Sequence, residues 1–503
     1  MAQEVDGEAG ILGRLARWVD SRLGLSHPFL RPVPAYAISP FYWLGALAVV
    51  AFVIQAVTGM LMMLYYVPDP TQAYQTTQYI FQNVSYGRFL ETVHLYTAYA
   101  MILLAFMHMM RGYFVSVHKK PREIMWVTGM AMGFVTLGLG FTGYLLPWTV
   151  VSKSATDVGA GMISALPQPV SSFLTFLIVG GGGDAAELVR FFDLHVVVLP
   201  AILLVLLVVK MYMLEAHGIS EPVTGAEPVP EEKRKLIPIF PDVSFYLVEL
   251  AALFGAAMLL ISAAFPLSLP PEYSAATAGQ YVAQPDWYFL WIYQVLKISF
   301  FEASGPLGVY GLPVALGVVT LVFVLLFLLP IADRGEVKRI GKRPLFVALG
   351  CVLVSEIVVL TIWGYLTPGE AIPDEQAAVV LGGMALAVVI VTLMSYRLLF
   401  GRLERKARVA APHESEVKGS QVRVAGALVF ILALGTLATG TAIGALAELV
   451  EEGVSAWSMA VFGGSVALLF ASAFATIYLL YRLDLGSGAI RKRVKALEVG
   501  WRG

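Results

Sequence analysis

The chain has 503 residues, 58% hydrophobic and 14% charged, with a net charge of -1 and a mean hydropathy of +0.76. Soluble domains carry about a quarter charged residues, so this composition excludes a soluble fold and predicts an all-α, polytopic transmembrane helical bundle. The single cysteine, Cys351, excludes a disulfide within the chain, and no Cys-x-x-Cys-His is present to attach a covalent haem.

The first stretch, "MAQEVDGEAGILGRLARWVDSRL", is acidic and then amphipathic, and it does not have the order of a removable signal peptide. Crossing the hydrocarbon layer takes about 20 apolar residues. Ten segments qualify: 42–65, 89–115, 125–147, 193–215, 243–265, 309–331, 344–366, 377–400, 422–447 and 456–481. Basic clusters such as "RGYFVSVHKKPR", "EEKRKL", "RGEVKRIGKR" and "RLERKAR" follow every even segment, whereas the opposite connections are acidic. By the positive-inside rule both termini are expected in the cytoplasm. Two outer connections, 148–192 and 266–308, are longer than a turn requires, which marks them as functional or disordered.

The second segment carries His94 and His108, fourteen residues apart. On a helix they lie about 21 Å apart along the axis and about 40° apart around it, on one side. Ionisable groups inside a span are expensive and mark function; the pair reads either as two histidines satisfied by neighbouring helices or, the favoured expectation, as two metal sites stacked across the membrane. Each site needs a second ligand from another helix. The fourth segment, "HVVVLPAILLVLLVVK", supplies His195 at the outer depth and Lys210 about 22 Å inward. Fifteen steps overshoot the rotation by about 60° on an ideal helix, and Pro200 between them can kink or bulge the helix to absorb it. Gly45 and Gly59, and Gly129 and Gly143, repeat the fourteen-residue spacing on the first and third segments. Glycine there fits either close approach by a flat macrocycle or ordinary packing of spans. Shared with the histidine period, the spacing favours four helices around two haems.

Several stretches together resemble cytochrome b of the quinol-oxidising Rieske/cytochrome b complexes, the bc and bf families: "VHLYTAYAMILLAFMHMMR", "KKPREIMWVTG", "GFTGYLLPW", "FFDLHVVVLP" and "PDWYFLWIYQVLK". The likeness covers about the first 370 residues, and two regions that the bf branch keeps on separate chains are fused. It implies three regions: a haem-binding bundle over 1–235, a subunit IV-like region over 236–370, and additional helices of unknown role over 371–503. It also implies that His94 and His195 hold an outer, low-potential b-type haem, that His108 is one ligand of an inner, high-potential one, and that Arg111 lies near an inner propionate. Pro285, Asp286, Trp287 and Tyr288 match the family's Pro-Glu-Trp-Tyr at the outer quinol site, with aspartate for glutamate. There a carboxylate can accept a proton, and Tyr144 with the following "LLPW" is implied to wall the same pocket.

Besides Asp286, the chain departs from the family in three places. Glu91 stands three before His94 where the family has a basic residue, with Arg88 close by; Trp43 replaces the cysteine of an extra covalent haem, so none is expected; and Lys210 stands where the family has histidine. As a ligand, Lys210 is a neutral amine on iron. Alternatively it is charged and snorkels to the interface, leaving the inner haem five-coordinate or absent. His217, about 33 Å along the helix from His195, is too deep to meet His108. The resemblance points the inner quinone to Glu215, His217 and Asp242, each of which reads equally as a solvated loop residue.

The expected activity is a dihaem subunit of a quinol:cytochrome c oxidoreductase in a prokaryotic cell membrane. Its expected partners are a Rieske iron–sulfur protein, a c-type or other cytochrome acceptor, quinone, lipid and a second copy of the complex, with no nucleic acid. Two rivals compete: a haem-bearing anchor of another quinone-linked oxidoreductase, which has no use for the "PDWY" loop, and a transporter, whose site would use broken helices near the midplane.

Overall fold

The computed structural model describes residues 32–399 apart from 181–182, 221–235, 275, 277–280, 283 and 339, together with 461, 464, 465 and 468. Eight helices among the described residues are long and apolar enough to cross a membrane. They coincide with the first eight expected segments, while the ninth and tenth, 422–447 and 456–481, lie outside the described residues. In chain order the helices are α1 (Leu44–Met63), α2 (Ala73–Gln82), α3 (Gly87–Phe114), α4 (Glu123–Leu145), α5 (Val150–Ser164), α6 (Val170–Val179), α7 (Asp184–His217), α8 (Ser244–Ala264), α9 (Trp287–Leu296), α10 (Gly311–Phe327), α11 (Pro344–Leu366) and α12 (Asp374–Tyr396).

The chain divides into two compact units. The first comprises Met1–Ala160, Ser172–Ala278 and Leu325–Glu336. Within it α1 packs along α3, α4 along α7, and α3 beside α4, with α8 against α1 and α3. A two-residue antiparallel pair, β1 (Val33–Pro34) with β2 (Leu236–Ile237), ties the chain ahead of α1 to the segment ahead of α8. An apolar layer crosses the bundle at mid-depth: Ala51 from α1, Met101 from α3 and Leu203 from α7 are buried, with Met132, Val135 and Leu139 of α4 packed against them. Met101 is seven residues from each of His94 and His108, so the layer separates the two histidine levels.

Helix α7 begins at Asp184, nine residues before the expected segment. Its first turns, "DAAELVRFFD", carry charges that a hydropathy reading assigns to the loop, yet the helix continues unbroken into the apolar run. The first of the two long connections folds into α5 and α6, and the second contains α9.

The second unit comprises Gly161–Ser171, Gly279–Val324 and Val337–Gly503. There α9 and α12 both pack on α11, around a core of Val359, Trp363, Val380, Met384 and Val388. Asp374 Oδ1 accepts from the Phe300 backbone N–H at 2.6 Å, joining the start of α12 to the segment after α9.

Candidate haem and quinol sites

The first unit brings the four predicted ligand positions to two levels, each side chain facing a glycine. A Cβ added at Gly59 would stand 3.3 Å from His94 Cε1, and at Gly143 2.5 Å from His195 Cε1. At the inner level a Cβ on Gly45 would stand 3.0 Å from His108 Cε1, and on Gly129 3.0 Å from Lys210 Nζ. The glycine spacing on α1 and α4 is thus matched by one ligand-type side chain per glycine, and Lys210 takes the place the pattern reserves for a fourth ligand.

Pro200 explains how fifteen residues on α7 keep step with fourteen on α3. Over Leu194–Val198 the helix widens, and the Leu199 N–H donates to the carbonyl of Leu194, five residues back instead of four. Such a turn absorbs one extra residue, so His195 and Lys210 face α4 glycines that are themselves fourteen residues apart. Proline has no N–H to continue the ordinary ladder, which is why the widening sits just before it.

At the outer level the ring centres of His94 and His195 lie 6.3 Å apart. Two imidazoles facing each other across one metal need about the same, twice a metal–nitrogen bond of about 2.1 Å plus about 1.1 Å from nitrogen to ring centre. Hydrogen bonds fix which nitrogens face inward. His195 Nδ1 lies 3.1 Å from the Leu139 carbonyl, which only accepts, so Nδ1 carries the proton. Thr142 Oγ1 donates to Gly138 O at 2.8 Å and lies 3.2 Å from the same Nδ1. Thr58 Oγ1 likewise donates to Ile54 O at 2.7 Å and accepts from His94 Nδ1 at 2.8 Å. Both Nε2 lone pairs are therefore available to a metal, and such partners orient ligating histidines. The residues fit a six-coordinate b-type haem at this level.

The inner level is built differently. His108 Nδ1 is buried with no hydrogen-bond partner among the described residues, and Lys210 replaces a ring. Thr128, one before Gly129 as Thr58 and Thr142 precede their glycines, donates to Ile124 O at 2.9 Å. Arg111 lies 4.0 Å over the Tyr42 ring, and its Nη2 is buried without a partner among the described residues. An unpartnered buried guanidinium nitrogen one turn from His108 fits a carboxylate such as a haem propionate.

In the second unit, Asp286 is the residue ahead of the first turn of α9. The buried Tyr288 donates its hydroxyl to Asp286 Oδ2 at 3.3 Å, and Trp287 stands edge-on to Tyr288 with ring centres 5.7 Å apart. Pro285 precedes them in the chain. Just past the end of α9, Lys297 donates to the Thr367 carbonyl and lies 5.3 Å over the Tyr293 ring. Burial holds its ammonium below the usual lysine value, with Glu370 opposing.

In the first unit, Tyr144 closes α4 and its carbonyl accepts from Ser152 Oγ at 3.0 Å. Leu146 of the "LLPW" loop accepts from the Tyr66 hydroxyl at 2.7 Å. Sequence reasoning missed Lys153, nearly buried on α5, which pairs with Asp157 and, at 3.1 Å, with Asp184; burial lowers its pKa, but these bonds outweigh it and the value stands above normal. Its i,i+4 acidic partner was the available signal. Thr58 and Thr142 were also missed, although the Thr-Gly pair recurs at both outer glycines.

Of the three residues expected at an inner quinone site, His217 is exposed at the end of α7, Asp242 is exposed ahead of α8, and Glu215 is half-buried. Arg122 donates to the carbonyls of His217, Gly218 and Ile219 at 2.9, 3.4 and 3.3 Å, closing the end of α7. Nearby in the first unit, Asp333 receives His118 Nε2 at 2.8 Å and Lys119 Nζ at 2.7 Å, all three nearly excluded from solvent.

A family model described as cytochrome b (N-terminal)/b6/petB matches residues 99–272, and one described as cytochrome b (C-terminal)/b6/petD matches 280–390. Cytochrome b of Sulfolobus acidocaldarius is 31% identical over 442 residues, covering 83% of this chain and 76% of its own. The cytochrome bc complex cytochrome b subunit of Chlorobaculum thiosulfatiphilum is 31% identical over 358 residues, covering 69% and 80%. The menaquinol:cytochrome c reductase cytochrome b subunit of Bacillus subtilis is 37% identical over 228 residues, 42% of this chain and 100% of its own. A solved chain from a hyperthermophilic respiratory Complex III shares the fold, with a TM-score of 0.58 at 24% identity over 76% of this chain and 98% of that one. With both family regions on one polypeptide and relatives aligned along most of its length, the chain belongs to the cytochrome b family.

Proposed function

We propose that the chain is the dihaem cytochrome b subunit of a quinol:cytochrome c oxidoreductase, oxidising quinol at an outer site and carrying electrons inward to a quinone. The observation that carries this reading is the set of four ligand-type side chains, each against its own glycine, at two levels separated by an apolar layer. Haem at these levels supplies one-electron transfer across the membrane.

His94 and His195 hold the outer group through Nε2, with Nδ1 protons committed to Thr58, Thr142 and Leu139. His108 and the neutral amine of Lys210 hold the inner one, and Arg111 binds a propionate there. Asp286 takes a proton from quinol, held in place by the Tyr288 hydroxyl; Pro285 and Trp287 are the other proposed quinol contacts. Glu215, His217 and Asp242 serve the inner quinone.

The partners that complete the reaction are a Rieske iron–sulfur protein and a cytochrome acceptor, in a homodimeric complex in a prokaryotic membrane with both termini cytoplasmic. Redox-difference spectra of the purified complex test the reading. Two b-type centres of different potential per chain are expected, and a haem-free protein overturns it. Asp286→Asn separates it from a haem anchor of another quinone-linked enzyme: quinol oxidation falls here by about 10²-fold or more, whereas an anchor is indifferent.

A further inference from the structure

Glu91 lies inside α3, one turn outward from His94 and on the same side of the helix. No ion pair among the described residues includes it. Arg88, the nearest cation on its own helix, is committed elsewhere, donating to the carbonyls of Leu267 at 2.7 Å and Pro266 at 3.4 Å. Helix α1 presents Thr58 and Gln55 at this level, neither titratable; Gln55 Nε2 donates to the His94 carbonyl. Helix α7 presents His195, whose Nδ1 proton is already shared with Leu139 and Thr142. The connection after α1 presents Tyr66, whose phenol is pushed up first by burial and then by the Glu91 carboxylate. Tyr66 in turn donates to Leu146. Helices α2, α4 and α8, which also pack on α3, carry no lysine, arginine or histidine, so among the described residues this carboxyl at the outer haem level has no cation paired with it.

Haem carries carboxylates of its own at its edge, and like charges close together in a poorly solvated place oblige one of them to hold a proton. One added electron makes that place one unit more negative and strengthens the demand. We infer that Glu91 is the proton-exchanging partner of the outer haem, binding one proton when that haem is reduced and releasing it on oxidation. The balance is simple: one electron from quinol converts ferric to ferrous iron, and one proton from the outer aqueous phase converts the Glu91 carboxylate to the acid. Both revert when the electron moves on. The inference rests on the proposed function, since it takes His94 and His195 as the outer ligands.

The test is a spectroelectrochemical titration of the outer haem in the intact complex, for wild type, Glu91→Gln and Glu91→Asp. In wild type the midpoint is expected to fall with pH, approaching about 59 mV per tenfold change in proton activity across about three pH units. Glu91→Gln is expected to lose at least half of that slope and Glu91→Asp to keep it. A slope unchanged in Glu91→Gln, or a flat wild-type profile, overturns the inference and leaves the haem assignment standing. Absence of an outer bis-imidazole signal in wild type overturns both. Redox-difference infrared spectra add an arm that does not depend on the glutamine variant: the wild type is expected to gain a protonated-carboxyl band on reduction, and lack of that band counts against the inference.

Discussion

The outer and inner levels of the four-helix bundle share one scaffold and differ in what they put on it. Both place a ligand-type side chain against a glycine of α1 and another against a glycine of α4. At the outer level two imidazoles each give their Nδ1 proton to a threonine hydroxyl or a carbonyl. At the inner level one imidazole has an unpartnered Nδ1, the second ligand position is a lysine, and Thr128 donates to its own helix with no ring to serve. Glycine asks only for a small footprint, so it accepts an amine as readily as a ring; the threonine hydroxyl reads an imidazole in particular. Hydrogen bonding to Nδ1–H raises ligand basicity and favours the ferric state, so in the proposed function the lower midpoint is expected at the outer level.

The largest effect that breaks this comparison is expected at Gly143. A Cβ there already meets His195 Cε1 at 2.5 Å, so Gly143→Val should abolish the outer haem while the inner spectrum persists; retention of both haems in the purified protein contradicts the cradle. Next comes the buried cluster of His118, Lys119 and Asp333. Asp333→Asn leaves His118 and Lys119 without their carboxylate, and removing one partner of a buried pair costs about 3–5 kcal/mol. A fall in thermal stability with the spectra of the surviving protein unchanged is the expected reading, and an unshifted melting profile argues against it. Smallest is Thr58→Val, which removes the hydrogen bond at His94 Nδ1. At about 1 kcal/mol, the outer midpoint should rise by some tens of millivolts, with Thr58→Ser restoring it and Thr128→Val leaving the outer midpoint unchanged.

Much of this architecture was legible in the sequence because the bilayer forces length and apolarity on every span, and because a fourteen-residue period survives on any near-ideal helix. His94, His108, Gly45 and Gly59 are read from that period alone. Lys210 is not, since its register depends on the widened turn at Leu194–Val198, and Pro200 in a sequence signals a break in the helical ladder without telling a kink from a bulge. The start of α7 at Asp184 was hidden by charged residues that continue the helix above the apolar core. Thr58, Thr142 and Lys153 escaped notice because threonine and lysine acquire their roles from what the fold brings opposite them. The Asp286–Tyr288 contact is local enough, two residues apart on the first turn of α9, for the motif itself to imply it.

In the proposed function Lys210 would hold the inner haem from the position where the family has a histidine. Electron paramagnetic resonance of the purified complex, comparing wild type with Lys210→His, tests it most directly, with the outer haem as internal reference. Only the inner-haem signal is expected to move, from an imidazole–amine type to a bis-imidazole type, while the outer signal stays fixed. An inner signal identical in the two proteins would contradict it.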